Sequence, residues 1–235
     1  MNGRCIIVTG SSSGIGKSIT QLLLKAGATV IGIARDHSKF GSSYENYWPY
    51  EADLENVGNL VEVVSRICSK HPNIDGFVSN AGFGEFKVLE NFSPSQIVSF
   101  FYTNLLSHII LTKLFLPKIK SLKKYGNIIF IGSEAALRGH KKGTLYNASK
   151  FGLRGFAQAL REECSTSNIS VTIINPGMVK TNFFDRLHFR PGADKTNAIE
   201  PEDVAELVLN VLKSRKGTVI DEINLSPLKK VITFD

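Results

Sequence analysis

The sequence predicts the α/β class, with a doubly wound parallel sheet of about seven strands flanked by helices on both faces. Two observations carry this prediction. Short apolar runs rich in β-branched residues alternate with amphipathic helical runs along the whole chain, which is the pattern of a parallel sheet covered on both sides. A glycine-rich segment, residues 9–16, separates the first apolar run from the first helical pattern, as in a Rossmann-type dinucleotide-binding fold.

The length of 235 residues fits one large α/β domain, so residues 1–235 are predicted to form a single dinucleotide-binding and catalytic domain. The strand candidates are short apolar runs bounded by turn residues. They cover residues 5–8, 29–34, 47–50, 76–79, 127–131, 170–174 and 218–223.

Three helix ends can be recognised from capping residues. An apolar stripe that begins at Ile15 predicts the first helix, and Gly27 is expected to end it, because glycine is the usual residue just beyond a helix. Ser93, followed by proline and then by Gln96, predicts a capping box at the start of a long helix. Glu200 and the acids after it begin another helix at the positive end of its dipole.

The formal net charge of +7 raises the question of anionic partners. The lysines, however, lie in short groups scattered over the chain, and such groups are usually solvated surfaces. The sequence has neither a basic stripe nor a recognisable nucleic-acid-binding module, so nucleic-acid binding is not expected.

The cysteines and the apolar segments predict a cytoplasmic protein. Cys5, Cys68 and Cys164 are odd in number and far apart, which suggests neither a disulfide framework nor a zinc site. The histidines lack ligand-like spacing, so no metal is predicted. The first strand begins too early to leave room for a signal peptide. Residues 105–116, the most apolar helical stretch, are too short to cross a bilayer, and no membrane association is expected.

The spacing of Tyr146 and Lys150 predicts acid–base chemistry. They stand four residues apart, so on a helix they share one face and the ammonium lies beside the phenol. A neighbouring positive charge favours the phenolate, and we expect it to lower the pKa of Tyr146 from its usual value of about 10. Tyr146 would then exchange protons near neutral pH.

The glycine-rich segment has the form Gly10-x-x-x-Gly14-x-Gly16, with Ser12, Ser13 and Ile15 at the intervening positions. Gly10 allows a tight turn, Gly14 lets the backbone approach a pyrophosphate, and Gly16 lets helix and strand pack closely. The pyrophosphate would lie at the N-terminus of the first helix.

These motifs, in this order, resemble the short-chain dehydrogenase/reductase family over nearly the whole chain. The resemblance implies a general acid or base in Tyr146 and a substrate-oxygen ligand in Ser133. Lys150 is implied to bind the nicotinamide ribose as well as to lower the tyrosine pKa. Asn104 matches the asparagine that holds a water molecule in a proton relay to the lysine.

The same resemblance implies a nicotinamide cofactor, NADP rather than NAD. Ala34 stands where many NAD-using members have an acid, and Arg35 after it suits a 2′-phosphate, with Ser12 or Ser13 adding a hydroxyl bond. Asp36 is the candidate acid for the NAD alternative. Further implied contacts follow the later strands. They are Asp53 and Leu54 at the adenine, Asn80, Ala81 and Gly82 beside the adenosine ribose, and Pro176, Gly177, Val179 and Thr181 at the nicotinamide and phosphates. A helix cap is the alternative role for Asp53.

The implied activity is NADP-dependent interconversion of a secondary alcohol and a carbonyl compound. The alternative is a nucleotide-sensing protein of the same fold without turnover. Substrate choice is assigned to the loop after Ser133 and to residues 183–199, where Phe183, Phe184, Leu187 and Phe189 form either an apolar lid or part of the core. Arg138, His140, Lys141 and Lys142 either attract an anionic substrate or are solvated. A weak likeness of residues 221–227 favours a 3-hydroxy acid or broad carbonyl substrate, and the family implies a homodimer or homotetramer.

Overall fold

The computed structural model describes residues 1–41 and 44–234. Within these residues, a main sheet of seven strands has the order β3-β2-β1-β4-β5-β6-β8, and every neighbouring pair is parallel. Its strands are β1 (Cys5–Thr9), β2 (Thr29–Ala34), β3 (Tyr47–Glu51), β4 (Gly76–Ser79), β5 (Gly126–Ile131), β6 (Ile169–Pro176) and β8 (Glu222–Leu225). A separate antiparallel ribbon pairs β7 (Phe189–Pro191) with β9 (Ile232–Phe234).

Helices cover both faces of the main sheet. They are α1 (Gly14–Lys25), α2 (Val57–Lys70), α3 (Pro94–Phe101), α4 (Ser107–Ser121), α5 (Thr144–Glu163) and α6 (Pro201–Lys213). Side chains of α2, α4 and α5 form one buried cluster with the sheet, and those of α1 and α6 form the other. The predicted doubly wound α/β class is therefore confirmed.

The last strand of the main sheet differs from the prediction. The sequence placed it at residues 218–223, whereas β8 begins at Glu222. A turn occupies the preceding segment, because Gly217 adopts a left-handed φ of 94° and Thr218 N–H donates to the Arg215 carbonyl at 3.2 Å. The β7–β9 ribbon was not predicted, since strands of three residues carry almost no periodic signal.

The predicted helix ends at Ser93 and Gly27 are confirmed. Ser93 Oγ accepts from Gln96 N–H, and Gln96 Oε1 accepts in return from Ser93 N–H, so the capping box is complete. Ala26 is the last cap residue of α1 and Gly27 follows it with a left-handed φ of 89°. A residue with a Cβ would be strained at that position.

A π-helical turn, Tyr102–Leu106, joins α3 to α4 and makes Pro94–Ser121 one helix of 28 residues. By length and composition it could cross a membrane, so the expectation that this region is too short was wrong. Phe100, Leu111 and Phe115 on this helix are nevertheless buried. A single such helix is weak evidence for a membrane, because a core helix of a soluble protein has the same features.

Candidate active site

The glycine-rich loop follows β1 at the carboxyl edge of the sheet and fits only glycine at two places. Gly10 has a left-handed φ of 65°, and its N–H donates to the Ile33 carbonyl of β2 at 2.8 Å. A Cβ on Gly16 would lie 2.2 Å from the Gly10 carbonyl oxygen, so α1 packs against the loop with no room for a side chain. This close packing is the one predicted for Gly16.

The N-terminus of α1 lies open beside this loop. Ser13 is the N-cap residue and makes no capping hydrogen bond with its side chain, so its hydroxyl is available to a ligand. Ser12 and Ile15 are partly exposed around it. The unpaired N–H groups and the positive end of the dipole favour an anion here.

The segment after β4 is fixed to the end of β1 by Thr9, a residue to which sequence reasoning gave no role. The Thr9 hydroxyl accepts from the N–H groups of Asn80 and Ala81 at 2.9 and 3.1 Å. Asn80 Nδ2 donates to the Thr9 carbonyl at 2.9 Å. A Cβ on Gly10 would meet this amide nitrogen at 2.9 Å, so the two predicted cofactor segments touch.

The loop after β2 presents Arg35 at the surface. Next to it, the two carboxylate oxygens of Asp36 accept hydrogen bonds from the N–H and the hydroxyl of Ser38 at 2.7 and 2.8 Å. Asp36 is therefore engaged in holding its own loop. This arrangement leaves the guanidinium of Arg35 as the more available of the two groups.

Asp53 and Leu54 follow β3. The alternative role of Asp53 as a helix cap was wrong, because Asn56 is the N-cap of α2 and accepts from Asn59 N–H at 3.0 Å. Asp53 is exposed and accepts from Glu55 N–H, while Leu54 packs against the core.

Asn104 lies in the π-helical turn and is completely buried. Its Oδ1 accepts from Phe83 N–H at 3.1 Å and its Nδ2 donates to the Phe100 carbonyl at 3.1 Å. A π turn disrupts the regular hydrogen-bond ladder and frequently marks a functional site. The sequence places an asparagine here but gives no signal of the π turn itself.

The predicted catalytic side chains meet between β5 and α5. The Ser133 hydroxyl lies close enough to the Tyr146 hydroxyl to lower the pKa of the phenol, and Lys150 Nζ lies 5.8 Å from the centroid of the Tyr146 ring. Lys150 is buried and donates to the Ile131 carbonyl at 3.2 Å. A Cβ on Gly82 would lie 2.8 Å from Asn104 Oδ1 and 3.9 Å from Lys150 Nζ, so Gly82 lies close to both side chains.

The pKa of Tyr146 is raised, whereas the sequence predicted that it would be lowered. Burial raises the pKa of Tyr146 to about 12; the Ser133 hydroxyl lowers it and the charge of Glu134 raises it further. Burial also lowers the pKa of Lys150 to about 8, so Lys150 keeps its positive charge at neutral pH and loses it as the pH rises through about 8. The prediction that the pKa of Tyr146 is lowered toward neutral pH is therefore wrong for this arrangement, because desolvation of the phenolate, the largest cause, raises it.

The segment after β6 reaches the glycine-rich loop. Gly177 N–H donates to the Leu225 carbonyl at 2.8 Å, which anchors the turn that Pro176 and Gly177 form. Val179 is buried and bridges to Ile199. Thr181 Cγ2 lies 3.4 Å from the position of a Cβ on Gly14, so the two segments approach each other at this point.

An aromatic cluster, defined here as Phe86, Phe183, Phe184 and Phe189, lies beside Tyr146. The ring centroids of Phe86 and Phe183 lie 5.1 and 5.9 Å from that of Tyr146. Among the residues that the structure describes, none of the four belongs to the buried core clusters. The lid alternative is therefore favoured over core packing for Phe183, Phe184 and Phe189. Phe86 was missed, because one phenylalanine in a glycine-rich loop carries no pattern.

The basic loop after Ser133 is exposed. Arg138 Nε donates to His140 Nε2 at 3.2 Å, and Asn147 Nδ2 holds the loop by donating to the Arg138 carbonyl at 2.7 Å. Lys141 and Lys142 are exposed. Within the described ranges, no group of three or more His, Cys, Asp or Glu side chains could hold a metal ion.

This fold and this constellation define a nucleotide-binding oxidoreductase with a Ser-Tyr-Lys site. A family model described as short chain dehydrogenase matches residues 4–189. The chain belongs to the short-chain dehydrogenase/reductase family and is an oxidoreductase acting on a CH–OH group.

Relatives span almost the whole chain. It is 33% identical to the 3-oxoacyl-acyl-carrier-protein reductase FabG of Buchnera aphidicola, over 94% of this chain and 93% of that protein. It is 31% identical to the NADP-dependent 3-hydroxy acid dehydrogenase of Schizosaccharomyces pombe, over 97% and 93%. An alcohol dehydrogenase structure from Thermococcus sibiricus, solved with 5-hydroxy-NADP, matches with a TM-score of 0.84 at 24% identity, covering 96% of this chain and 97% of that one. The last likeness concerns the fold alone.

Proposed function

We propose that the protein is an NADP-dependent oxidoreductase that interconverts a secondary alcohol and a carbonyl compound, with Tyr146 as general acid and base. The observation that carries this proposal is the pair of neighbouring Ser133 and Tyr146 hydroxyls with buried Lys150 on the same helix face. A nucleotide sensor has no need of such a group.

The chain's own residues fit a nicotinamide dinucleotide. The glycine cradle would be filled by a Cβ at Gly16, and the N-terminus of α1 beside it favours the pyrophosphate. The cofactor supplies the hydride when bound. Lys150 would hold the nicotinamide ribose, and residues 80–82 would line the adenosine ribose. The nicotinamide and the phosphates would be contacted by Pro176, Gly177, Val179 and Thr181.

The protein's part in catalysis is to hold the substrate oxygen and to move one proton. Ser133 and Tyr146 would both hydrogen-bond that oxygen, and the Tyr146 hydroxyl would donate its proton as the carbonyl is reduced. The high pKa of Tyr146, about 12, keeps the phenol protonated at neutral pH, which suits the reductive direction. Lys150 and a water molecule held at Asn104 would return the proton from solvent.

NADP is proposed over NAD for two reasons. Exposed Arg35 follows β2, where Ala34 provides no acid, and Asp36 is occupied by Ser38. A 2′-phosphate suits the forked donors of arginine. The relative from Schizosaccharomyces pombe is named NADP-dependent.

The test is a fluorescence titration with NADPH and NADH, followed by oxidation against ketones, diketones and keto acids. We expect tighter binding of NADPH, loss of that preference in Arg35→Ala, and turnover that Tyr146→Phe abolishes while cofactor binding persists. Tight binding without turnover on any substrate would favour the sensor, and no binding of either nucleotide would refute both functions.

Two substrate classes follow from the sequence. A 3-hydroxy acid would use Arg138, Lys141 and Lys142 as counter-charges, in line with the name of the relative from Schizosaccharomyces pombe. A broad carbonyl substrate would instead use the apolar lid. Unchanged activity on anionic substrates after substitution of Arg138 and Lys141 would remove the first class.

We further propose a single domain over residues 1–235 that forms a homodimer or homotetramer in the cytoplasm. Val98, Leu106 and Phe151 expose apolar surface on α3, on the π turn and on α5, and burial against a second copy would remove it from water. Light scattering of the native protein in solution tests the assembly, and a monomeric mass would refute it.

A further inference from the structure

We infer that the substrate is a neutral carbonyl compound with an apolar, ring-sized substituent, which the aromatic cluster receives beside Tyr146. This inference rests on the proposed function and names the substrate class of the same site. It prefers the broad carbonyl class to the hydroxy acids.

The first argument is the position of the rings. Phe86 contacts three partners at once, because its centroid lies 5.1 Å from Tyr146, 6.5 Å from Phe183 and 5.1 Å from Phe189. A substrate whose carbonyl oxygen is hydrogen-bonded by Ser133 and Tyr146 would therefore place one substituent of its carbonyl carbon beside these rings. Any group that enters there exchanges water for aromatic carbon.

The second argument is the geometry between the rings. Phe86 meets Phe183 and Phe189 at 72° and 83°, and Phe184 meets Phe189 at 74°. Edge-to-face pairs of this kind leave ring faces and edges that a further aromatic ring can join in the same way. The four rings are partly exposed, so the cluster is accessible to a ligand.

The third argument is charge. Glu134, next to Ser133, acts on the Tyr146 hydroxyl with a negative charge that raises its pKa, and a substrate carboxylate would be repelled by it. The nearest lysine of the C-terminal segment, Lys230, is already paired with Glu134 at 2.5 Å. Arg138 donates to His140 and lies exposed. A carboxylate beside Tyr146 would thus meet the charge of Glu134, whereas Arg138, Lys141 and Lys142 lie exposed on their loop, where water and salt screen their charges.

Gly84 has no side chain and so leaves room for two rings of the aromatic cluster. A Cβ at this position would lie 2.3 Å from Phe183 Cζ and 2.8 Å from Phe86 Cε2. A side chain there would push the two rings that flank Tyr146. Gly84→Ala therefore perturbs the cluster without deleting a ring.

The experiment compares three dicarbonyl substrates that separate the ring from the charge. 1-Phenyl-1,2-propanedione is neutral with a ring, benzoylformate has the ring with a carboxylate, and 2,3-butanedione is neutral without a ring. We expect kcat/KM for the first to exceed that for either of the others by at least about tenfold, the range that apolar pocket contacts supply. Equal or higher kcat/KM for benzoylformate would overturn the inference.

Variants identify the residues. Phe86→Ala and Gly84→Ala should each lower the ratio of kcat/KM for the phenyl dione to kcat/KM for 2,3-butanedione by about tenfold or more. Trp48→Ala is the matched control, because it removes a large half-exposed ring from β3, where it contacts Lys70 and His71. A uniform loss on all three substrates, or none, would contradict the assignment.

Calorimetric binding of the phenyl dione to the protein saturated with NADP⁺ separates this inference from the proposed function. If the phenyl dione binds and Phe86→Ala weakens that binding, the aromatic site is supported even without turnover. The absence of turnover would then refute only the proposed activity. Turnover of other carbonyls, with no binding of the phenyl dione, would overturn only the inference.

Discussion

Lys230 Nζ lies 2.5 Å from Glu134 Oε2, so an ion pair ties the C-terminal segment to the residue that follows Ser133. Both side chains are partly exposed, at 46% and 26%, and a pair of this kind contributes at most about 1 kcal/mol to stability. The pair also affects the candidate active site, because the charge of Glu134 raises the pKa of Tyr146.

Substitutions of Glu134 and of Lys230 should therefore change kcat/KM for alcohol oxidation in opposite directions. Glu134→Gln removes the negative charge and lowers the pKa of Tyr146, whereas Lys230→Ala leaves that charge uncompensated and raises it. At pH 9 the ionised fraction of a phenol with a pKa of about 12 is small. Oxidative kcat/KM should thus rise in Glu134→Gln and fall in Lys230→Ala, by about tenfold for each unit of pKa. A change of the same sign in both variants would show that the pair acts through structure instead.

The pH dependence of carbonyl reduction should reflect the loss of the positive charge of Lys150. Its pKa is lowered from 10.5 to about 8 by burial, so the folded protein loses this positive charge as the pH rises through about 8. Tyr146, with a pKa of about 12, stays protonated over the same range. We expect reductive kcat/KM to be constant below about pH 7 and to fall about tenfold per unit well above pH 8.

Lys150→Arg provides the matching control, because arginine keeps its charge at alkaline pH. Its activity should be lower at every pH but without the decline above pH 8. A wild-type profile that is flat to pH 10 would contradict this expectation. The same decline above pH 8 in the variant would assign the decline to a group other than Lys150.

Tyr47 connects the phosphate loop to the segment that carries Arg35. His37 Nε2 lies 3.1 Å from the Tyr50 carbonyl, so this nitrogen must donate and Nδ1 of the neutral ring must accept. The Tyr47 hydroxyl therefore donates to His37 Nδ1 at 2.9 Å and accepts from the buried Ser11 hydroxyl at 3.2 Å.

Tyr47→Phe should destabilise the protein by about 1–3 kcal/mol, because it leaves buried partners unsatisfied. Thermal or denaturant unfolding measures this loss. NADPH affinity should fall more than NADH affinity, because the segment that Tyr47 holds through His37 carries Arg35, the residue proposed to bind the 2′-phosphate. Tyr44→Phe is the control, and equal losses for both nucleotides would argue against a role in cofactor choice.

Two glycines in helices should respond oppositely to alanine. A Cβ on Gly16 would lie 2.2 Å from the Gly10 carbonyl oxygen, whereas a Cβ on Gly155 in α5 would meet nothing within 4 Å. Gly16→Ala should cost about 2 kcal/mol or more and abolish nucleotide binding. Gly155→Ala should raise the free energy of unfolding by about 0.5–1 kcal/mol. Denaturant unfolding of both variants checks the signs.

Features that depend on neighbours in the chain could be predicted. The capping box at Ser93, the end of α1 at Gly27 and the central strands all follow from local backbone preferences and apolar periodicity. The spacing of Gly10, Gly14 and Gly16 likewise predicted a turn in which a side chain does not fit. The π turn at Asn104 and the β7–β9 ribbon escaped prediction, because neither has a periodic or compositional signal.

The sequence by itself determined the fold class, the cofactor loop and the pairing of Tyr146 with Lys150, since each rests on residues close together in the chain. Only the tertiary structure decided the pKa of Tyr146, because desolvation depends on what the fold packs around the phenol. It also decided that Phe86, Phe183 and Phe189 meet at one site and that Lys230 reaches Glu134. These contacts join segments far apart in the chain, and their geometry exists only once the sheet has brought its loops to one edge.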